Sequence, residues 1–213
     1  PWGMALDSSF DIYVADAGNH RIQKFTSAGV FLSKWGSEGT GDGEFNNPRG
    51  IAADNNGNVY VADTYNNRIQ KFDAEGNTIT KWGSQGDGDG QFYRPDGIAA
   101  EGSSGNIYVA DSYNHRIQKF TSEGVFLEKW ENYGSGDGQF YWPSGVAVDS
   151  SGNVYVADSY NHRIQKFTPE GVFSGRWRGG DGQFNWPYGA ALDSSDNLYI
   201  ADSYNHRIQK FGY

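Results

Sequence analysis

The chain runs as short apolar stretches separated by polar breaks rich in Gly, Asn, Asp and Ser. Its most apolar stretches, such as Val59-Tyr60-Val61-Ala62, are apolar at every position. An alternating strand has one wet face, whereas a continuous apolar run marks a strand buried on both. A small apolar strand precedes it, Gly50-Ile51-Ala52-Ala53-Asp54, and the turn Asn55-Asn56-Gly57-Asn58 joins the two. The Asn-Gly pair accepts the positive φ that such a turn requires. A mixed strand follows at Arg68–Phe72, then a shorter, more polar one at Asn77–Trp82 that carries Lys81. Charge on the last strand keeps an exposed sheet edge from pairing with other chains.

This group of four strands recurs. IYVADAGNHRIQKF at Ile12–Phe25 returns as VYVADTYNNRIQKF at Val59–Phe72 and IYVADSYNHRIQKF at Ile107–Phe120. Two more copies follow, VYVADSYNHRIQKF at Val154–Phe167 and LYIADSYNHRIQKF at Leu198–Phe211. The aspartates Asp16, Asp63, Asp111, Asp158 and Asp202 are spaced by 47, 48, 47 and 44 residues. The one-residue gain falls in the turn Glu101–Asn106, and the three-residue loss lies between Trp177 and Pro187. Length changes confined to turns are the mark of a repeated supersecondary unit.

The gradient from small inner strand to doubly buried strand to charged outer strand is what four-stranded sheets stacked around an axis require. The expected fold is therefore all-β, a β-propeller of five four-stranded antiparallel blades whose last blade lacks its outer strand. The repeat units are 1–47, 48–94, 95–142, 143–186 and 187–213, in one domain without linkers. Fourth strands fall at Val30–Trp35, Asn77–Trp82, Val125–Trp130 and Val172–Trp177, so the chain holds 19 strands rather than 20. Blade-to-blade packing alone would then close the ring and leave Arg207–Phe211 as a bare edge for self-association. The alternative is a fragment of a six-bladed propeller.

The pattern Pro-x-Gly-[Ile/Val/Ala]-Ala, then Tyr-[Val/Ile]-Ala-Asp-x-x-Asn-x-Arg-Ile-Gln-Lys-Phe, then Trp, then Gly-Asp-Gly-x-Phe, resembles the NHL-repeat family over essentially the whole chain. The resemblance implies a radial propeller, in that family most often six-bladed. It also implies a choice of functions, since one scaffold hosts many sites. Some animal relatives bind nucleic acid on the loop-rich face, and one relative is a lyase that holds a metal with histidines.

Composition narrows that choice. Leu, Ile, Val and Phe make up just under a fifth of the chain, and the formal net charge is −9, figures that lean toward disorder. With 7 Trp, 14 Tyr and 13 Phe the aromatics argue the other way. The acidic balance disfavours nucleic acid and anionic membranes as partners. Without cysteine there is no disulfide or thiolate metal site, and no apolar run approaches the ~20 residues of a membrane helix. The chain opens on Pro1 rather than Met, as a processed product or an excised domain would.

The constant cluster Asp-x-x-Asn-His-Arg reads as structural, because sites are usually carried by departures from a repeat. Its histidines lie on different blades and copy two has Asn67 instead, which opposes a shared metal site. The loops Gly41-Asp42-Gly43, Gly88-Asp89-Gly90, Gly136-Asp137-Gly138 and Gly180-Asp181-Gly182 read as turns, since a calcium loop needs further oxygen ligands. No catalytic residue, metal ligand or cofactor is expected. The loops joining strands two to three and four to one emerge on one face of the ring. They carry Tyr65, Tyr113, Tyr160 and Tyr204 from the first type, and Tyr93, Arg94, Tyr141, Trp142, Trp186 and Tyr188 from the second. An aromatic face with interspersed donors suits a glycan, a peptide or a protein segment. The expected function is a non-enzymatic binding module, with RNA binding on the same face, or a repeat-amplified or engineered propeller with no evolved ligand, as the alternatives.

Overall fold

The computed structural model describes residues 1–102, 104–178 and 183–212, and it is a five-bladed β-propeller. Blade one holds β1 (Met4–Leu6), β2 (Ile12–Asp16), β3 (Arg21–Phe25) and β4 (Phe31–Trp35). Blade two holds β5 (Pro48–Ala53), β6 (Val59–Asp63), β7 (Arg68–Phe72) and β8 (Thr78–Trp82). Blade three runs β9 (Pro95–Ala100), β10 (Ile107–Asp111), β11 (Arg116–Phe120) and β12 (Phe126–Glu131). Blade four runs β13 (Pro143–Val148), β14 (Val154–Asp158), β15 (Arg163–Phe167) and β16 (Phe173–Trp177). Blade five stops at three, β17 (Pro187–Leu192), β18 (Leu198–Asp202) and β19 (Arg207–Phe211). Within each sheet the strands follow chain order and pair antiparallel.

The doubly apolar second strands serve two neighbours. Val59 and Val61 pack with Phe72 against Tyr13, Ala15 and Ile22 of blade one. The alternate residues Tyr60, Ala62 and Ile69 pack against Ile98, Ile107 and Val109 of blade three. Burying one such side chain contributes roughly 1.5–3 kcal/mol, so the core lies between sheets. The third strand is drier than its mixed composition implies: in β7 even Arg68, Gln70 and Lys71 are buried. Those polar groups are sunk because each has a partner, as described below.

The inner strands approach closely through the glycine of Pro-x-Gly. A Cβ on Gly3, Gly50, Gly97 or Gly145 would stand 2.0–2.4 Å from a carbonyl oxygen of the next blade. Gly189 of blade five meets no such neighbour. The expectation that packing alone closes the ring therefore holds only at the axis, where Trp2 lies edge-on to Tyr188 at 5.4 Å. Farther out the facing sides of blades one and five stay in solvent. Met4 is 73% and Ile208 66% exposed, against 6% for Ile51 and 0% for Ile69 at the equivalent positions. Among the described residues blade five has no outer strand to reach across.

Candidate functional site

The aspartate that ends each second strand knots together the loops on its side of the ring. Asp111 Oδ1 accepts the Tyr93 amide at 2.7 Å, while Oδ2 accepts Asn114 Nδ2, Arg116 Nε and Gln118 Nε2 at 2.9, 2.7 and 3.1 Å. Arg116 then reaches the carbonyls of Asp87, Gly88 and Gln91 in the loop from blade two. Arg68 and Arg163 do the same in their blades. Burial pushes the carboxyls of Asp63, Asp111 and Asp158 above the ordinary value, against the pull of these donors. At the ends of the ring burial is weaker, and the donors hold Asp16 and Asp202 below it. The Gly-Asp-Gly loops belong to the same scaffold. Asp42 pairs with Lys81, Asp89 with Lys129 and Asp137 with Arg176, each on the outer strand of the following blade. The loop at Gly180-Asp181-Gly182 lies outside the described residues.

After each second strand a short 3-10 turn ends on a left-handed residue, His20, Asn67, His115, His162 or His206, with φ of 52–54°. Four of these side chains accept a backbone N–H from the next blade. His20, His115 and His162 use Nδ1 for Asn47, Trp142 and Trp186, and Asn67 uses Oδ1 for Arg94. The histidines thus act as clips between blades, and Asn67 does the same task with a different acceptor.

Only a neutral imidazole can accept at Nδ1. Burial holds the pKa of His115 below its ordinary value. The unfolded chain therefore takes up its proton at a higher pH than the folded one, so stability is full above pH ~6.5 and falls as pH drops below it. His115→Asn, copying Asn67, removes this titration. Urea midpoints at pH 7.5 and pH 5 should show the wild type losing more on acidification than the variant; equal losses would refute the clip.

The clipped residues Asn47, Arg94, Trp142 and Trp186 are themselves left-handed, with φ of 53–55°. Asn suits that conformation; Arg and Trp there cost roughly 1–2 kcal/mol each. Local strain of this kind collects at functional sites. The strained residues build the rim. Arg94 lies between Tyr65 and Tyr113, with its guanidinium 4.8 and 4.7 Å from the two ring centres. Tyr113 meets Trp142 at 5.1 Å, Trp142 meets Trp186 at 6.2 Å and Trp186 meets Tyr204 at 5.8 Å. Tyr160 packs on Tyr141 at 3.9 Å and on Trp186 at 5.3 Å. Tyr93 backs Tyr113 at 5.1 Å. The candidate residues read from sequence thus form one connected arc, except Tyr188, which lies deeper.

Tyr188 belongs to a set that sequence reasoning otherwise missed. The x of Pro-x-Gly is Trp2, Arg49, Asp96, Ser144 and Tyr188, different in every copy. Because the following glycines bring the inner strands together, all five side chains meet at the mouth of the axial channel. They line a cavity of about 190 Å³ together with Tyr113, Trp142 and Trp186. A second cavity, of about 340 Å³, continues down the axis past Ile51, Ile98 and Val146 and opens toward the gap between blades one and five. The signal was present in the sequence, as the one inner-strand position where five near-identical copies all disagree.

Asp96 is the polar centre of the mouth. Its Oδ2 accepts from Arg49 Nη1 at 3.3 Å and from the Tyr188 hydroxyl, whereas its buried Oδ1 has no hydrogen-bond partner among the described residues. Burial raises its carboxyl above the ordinary value, opposed by the charge of Arg49 and the Tyr188 bond. Burial, then the charge of Asp96, also raises the Tyr188 phenol, which keeps Tyr188 a donor. Arg49 stacks over Trp2 at 4.3 Å and faces Tyr65 at 5.5 Å. The mouth therefore offers a guanidinium and aromatic walls around a buried carboxylate.

Solved structures share this architecture. A streptogramin B lyase superposes with a TM-score of 0.69 at 18% identity, covering 99% of this chain and 67% of that one. The virginiamycin B lyase from Staphylococcus aureus gives 0.68 at 14%, covering 99% of this chain and 69% of that one. A chain of a nidogen/laminin complex gives 0.74 at 18%, over 99% of this chain and 75% of that one. At these identities the likeness is one of fold. No curated protein matches the sequence. The NHL repeat model matches residues 1–25, 45–72, 92–120, 140–167 and 184–211, one match per blade. The chain belongs to the NHL repeat family.

Proposed function

We propose that this propeller is a non-enzymatic binding module and that its ligand is a glycan, held by one sugar residue in the axial mouth. The observation that carries the reading is the convergence of Trp2, Arg49, Asp96, Ser144 and Tyr188 beneath the rim of Tyr113, Trp142 and Trp186. A frame kept constant through five copies while its axial position changes every time is built for recognition. Sugar hydroxyls can accept from Arg49, which Asp96 holds in place, while the C–H faces of the ring lie on the aromatic walls. Asp96 is the sole carboxylate among the described residues that line the smaller cavity, and no histidine lines it. A protein segment entering the same mouth is the second reading, prompted by the occurrence of the fold in a nidogen/laminin complex.

A screen of neutral oligosaccharides, peptides and single-stranded RNA at two salt concentrations tests the proposal. Oligosaccharide binding that is insensitive to salt and falls about tenfold or more in Asp96→Asn is the expected result, since the variant loosens the hold on Arg49 at the floor of the mouth. Trp142→Asn, which suits the left-handed backbone, should fold and lose the same binding. RNA binding that weakens steeply with salt, with no oligosaccharide bound, would overturn the proposal.

A further inference from the structure

Two arginines stand beside the mouth in a chain whose formal net charge is −9. Both depart from the repeat. Arg49 fills the x of Pro-x-Gly, and Arg94 fills the left-handed position that holds Asn47, Trp142 and Trp186 in other copies. One ring joins them: Arg49 faces Tyr65 at 5.5 Å and Arg94 faces it at 4.8 Å. Arg49 Nη2 also donates to the Tyr65 hydroxyl at 3.4 Å, and Arg94 Nη1 to the Tyr113 hydroxyl at 2.8 Å. Tyr113 lines the smaller cavity, so Arg94 stands one ring away from it.

The two differ in what neutralises them. Arg49 pairs with Asp96 at 3.3 Å. Arg94 has no carboxylate partner among the described residues, and its Nε and Nη2 donate to none of them. In Arg68, Arg116 and Arg163 the Nε is taken by an aspartate of the same blade. Nε and Nη2 form one side of the guanidinium fork, the geometry that receives both oxygens of a carboxylate. Charges more than about 8–10 Å away are screened at ordinary ionic strength, so the local balance decides rather than the net charge. Two guanidiniums against one carboxylate leave one cation uncompensated. Nucleic acid needs several such cations, one for each phosphate neutralised, whereas a single carboxylate needs one.

We propose that the glycan is an acidic one: the sugar next to that in the mouth carries a carboxylate, as a uronic acid does, and Arg94 binds it through Nε and Nη2. The inference rests on the glycan reading above and adds the charge of the ligand to it. The backbone of Arg94 agrees with the assignment. A left-handed arginine is strained where Asn47 is at ease, and strain of this kind collects where a side chain is needed for binding.

The test titrates the protein calorimetrically with a panel of uronic-acid oligosaccharides, each beside its carboxyl-reduced neutral form. The acidic form should bind about tenfold or more tighter at low salt, an advantage that shrinks as salt is raised. Arg94→Asn copies Asn47 and keeps the backbone N–H that Asn67 accepts, so it should fold and bind the two forms alike. Lys34→Gln removes a charge from the outer strand β4 and should keep the full advantage. Reduced forms that bind as tightly as the acidic ones overturn this inference while the glycan reading stands. An advantage that persists in Arg94→Asn overturns it too, as does tighter binding of sulfated neutral sugars or of RNA. If no oligosaccharide of either form binds, both readings fall.

Discussion

Arg116→Ala will lower the stability of the propeller by about 3–5 kcal/mol, read as a fall in the urea midpoint at pH 7. Arg116 is 1% exposed, and its guanidinium joins three structural parts: Asp111 of its own blade, the Asp87–Gly88 turn and the Gln91 carbonyl. Truncation leaves the Asp111 carboxylate buried without its cation and strips three carbonyls of a donor. That cost is the desolvation of unpaired groups, which exceeds the net worth of the pair itself. Arg21→Ala is the control. It occupies the same repeat position in blade one, and its side chain is 29% exposed. Its loss should cost under about 1 kcal/mol. Equal losses in the two variants would contradict the view that these arginines bind blade to blade.

Gly97→Ala will cost about 3 kcal/mol although it adds a single methyl group. The new Cβ would stand 2.0 Å from the Ser144 carbonyl oxygen and 3.0 Å from its carbon. Both are backbone atoms of an inner strand, so no rotamer change relieves the overlap and blades three and four must part. Gly189→Ala, the same change in blade five, meets only Ala201 Cβ at 3.5 Å and should be nearly neutral. Thermal melts of the two variants measure the difference; a neutral Gly97→Ala would mean that the inner strands do not approach as described.

The repeat, the strands and the five-bladed ring were legible because each is a local pattern copied five times. Val59–Ala62 announces a doubly buried strand by itself, and Asn56-Gly57 its turn. Third strands misled, since Arg68, Gln70 and Lys71 read as half-exposed until their partners on Asp63, the preceding loop and Glu123 are known. The rim was visible as aromatics in two loop types, but the clips were not. A histidine at a left-handed position reaches the next blade only through geometry that the sequence does not carry. The axial set escaped for another reason: Arg49, Asp96 and Ser144 are unremarkable residues singly, and only their disagreement within Pro-x-Gly marks them. The five-bladed ring was read correctly, but its packing away from the axis was not: an apolar face was assumed to find its complement, whereas Met4 and Ile208 lie exposed.

The central claim, that ligand enters the axial mouth, is tested most directly by the indole N–H resonances of the seven tryptophans in an amide–indole correlation spectrum. Neutral oligosaccharides and short peptides are titrated against the labelled protein, with indole assignments from single Trp→Phe variants. Trp2, Trp142 and Trp186 border the mouth, whereas Trp35, Trp82 and Trp130 are packed between blades far from it. A ligand that shifts the first three in a saturable way and leaves the other three in place is the result the account requires. A ligand that saturates the protein while those three indoles stay fixed would contradict it.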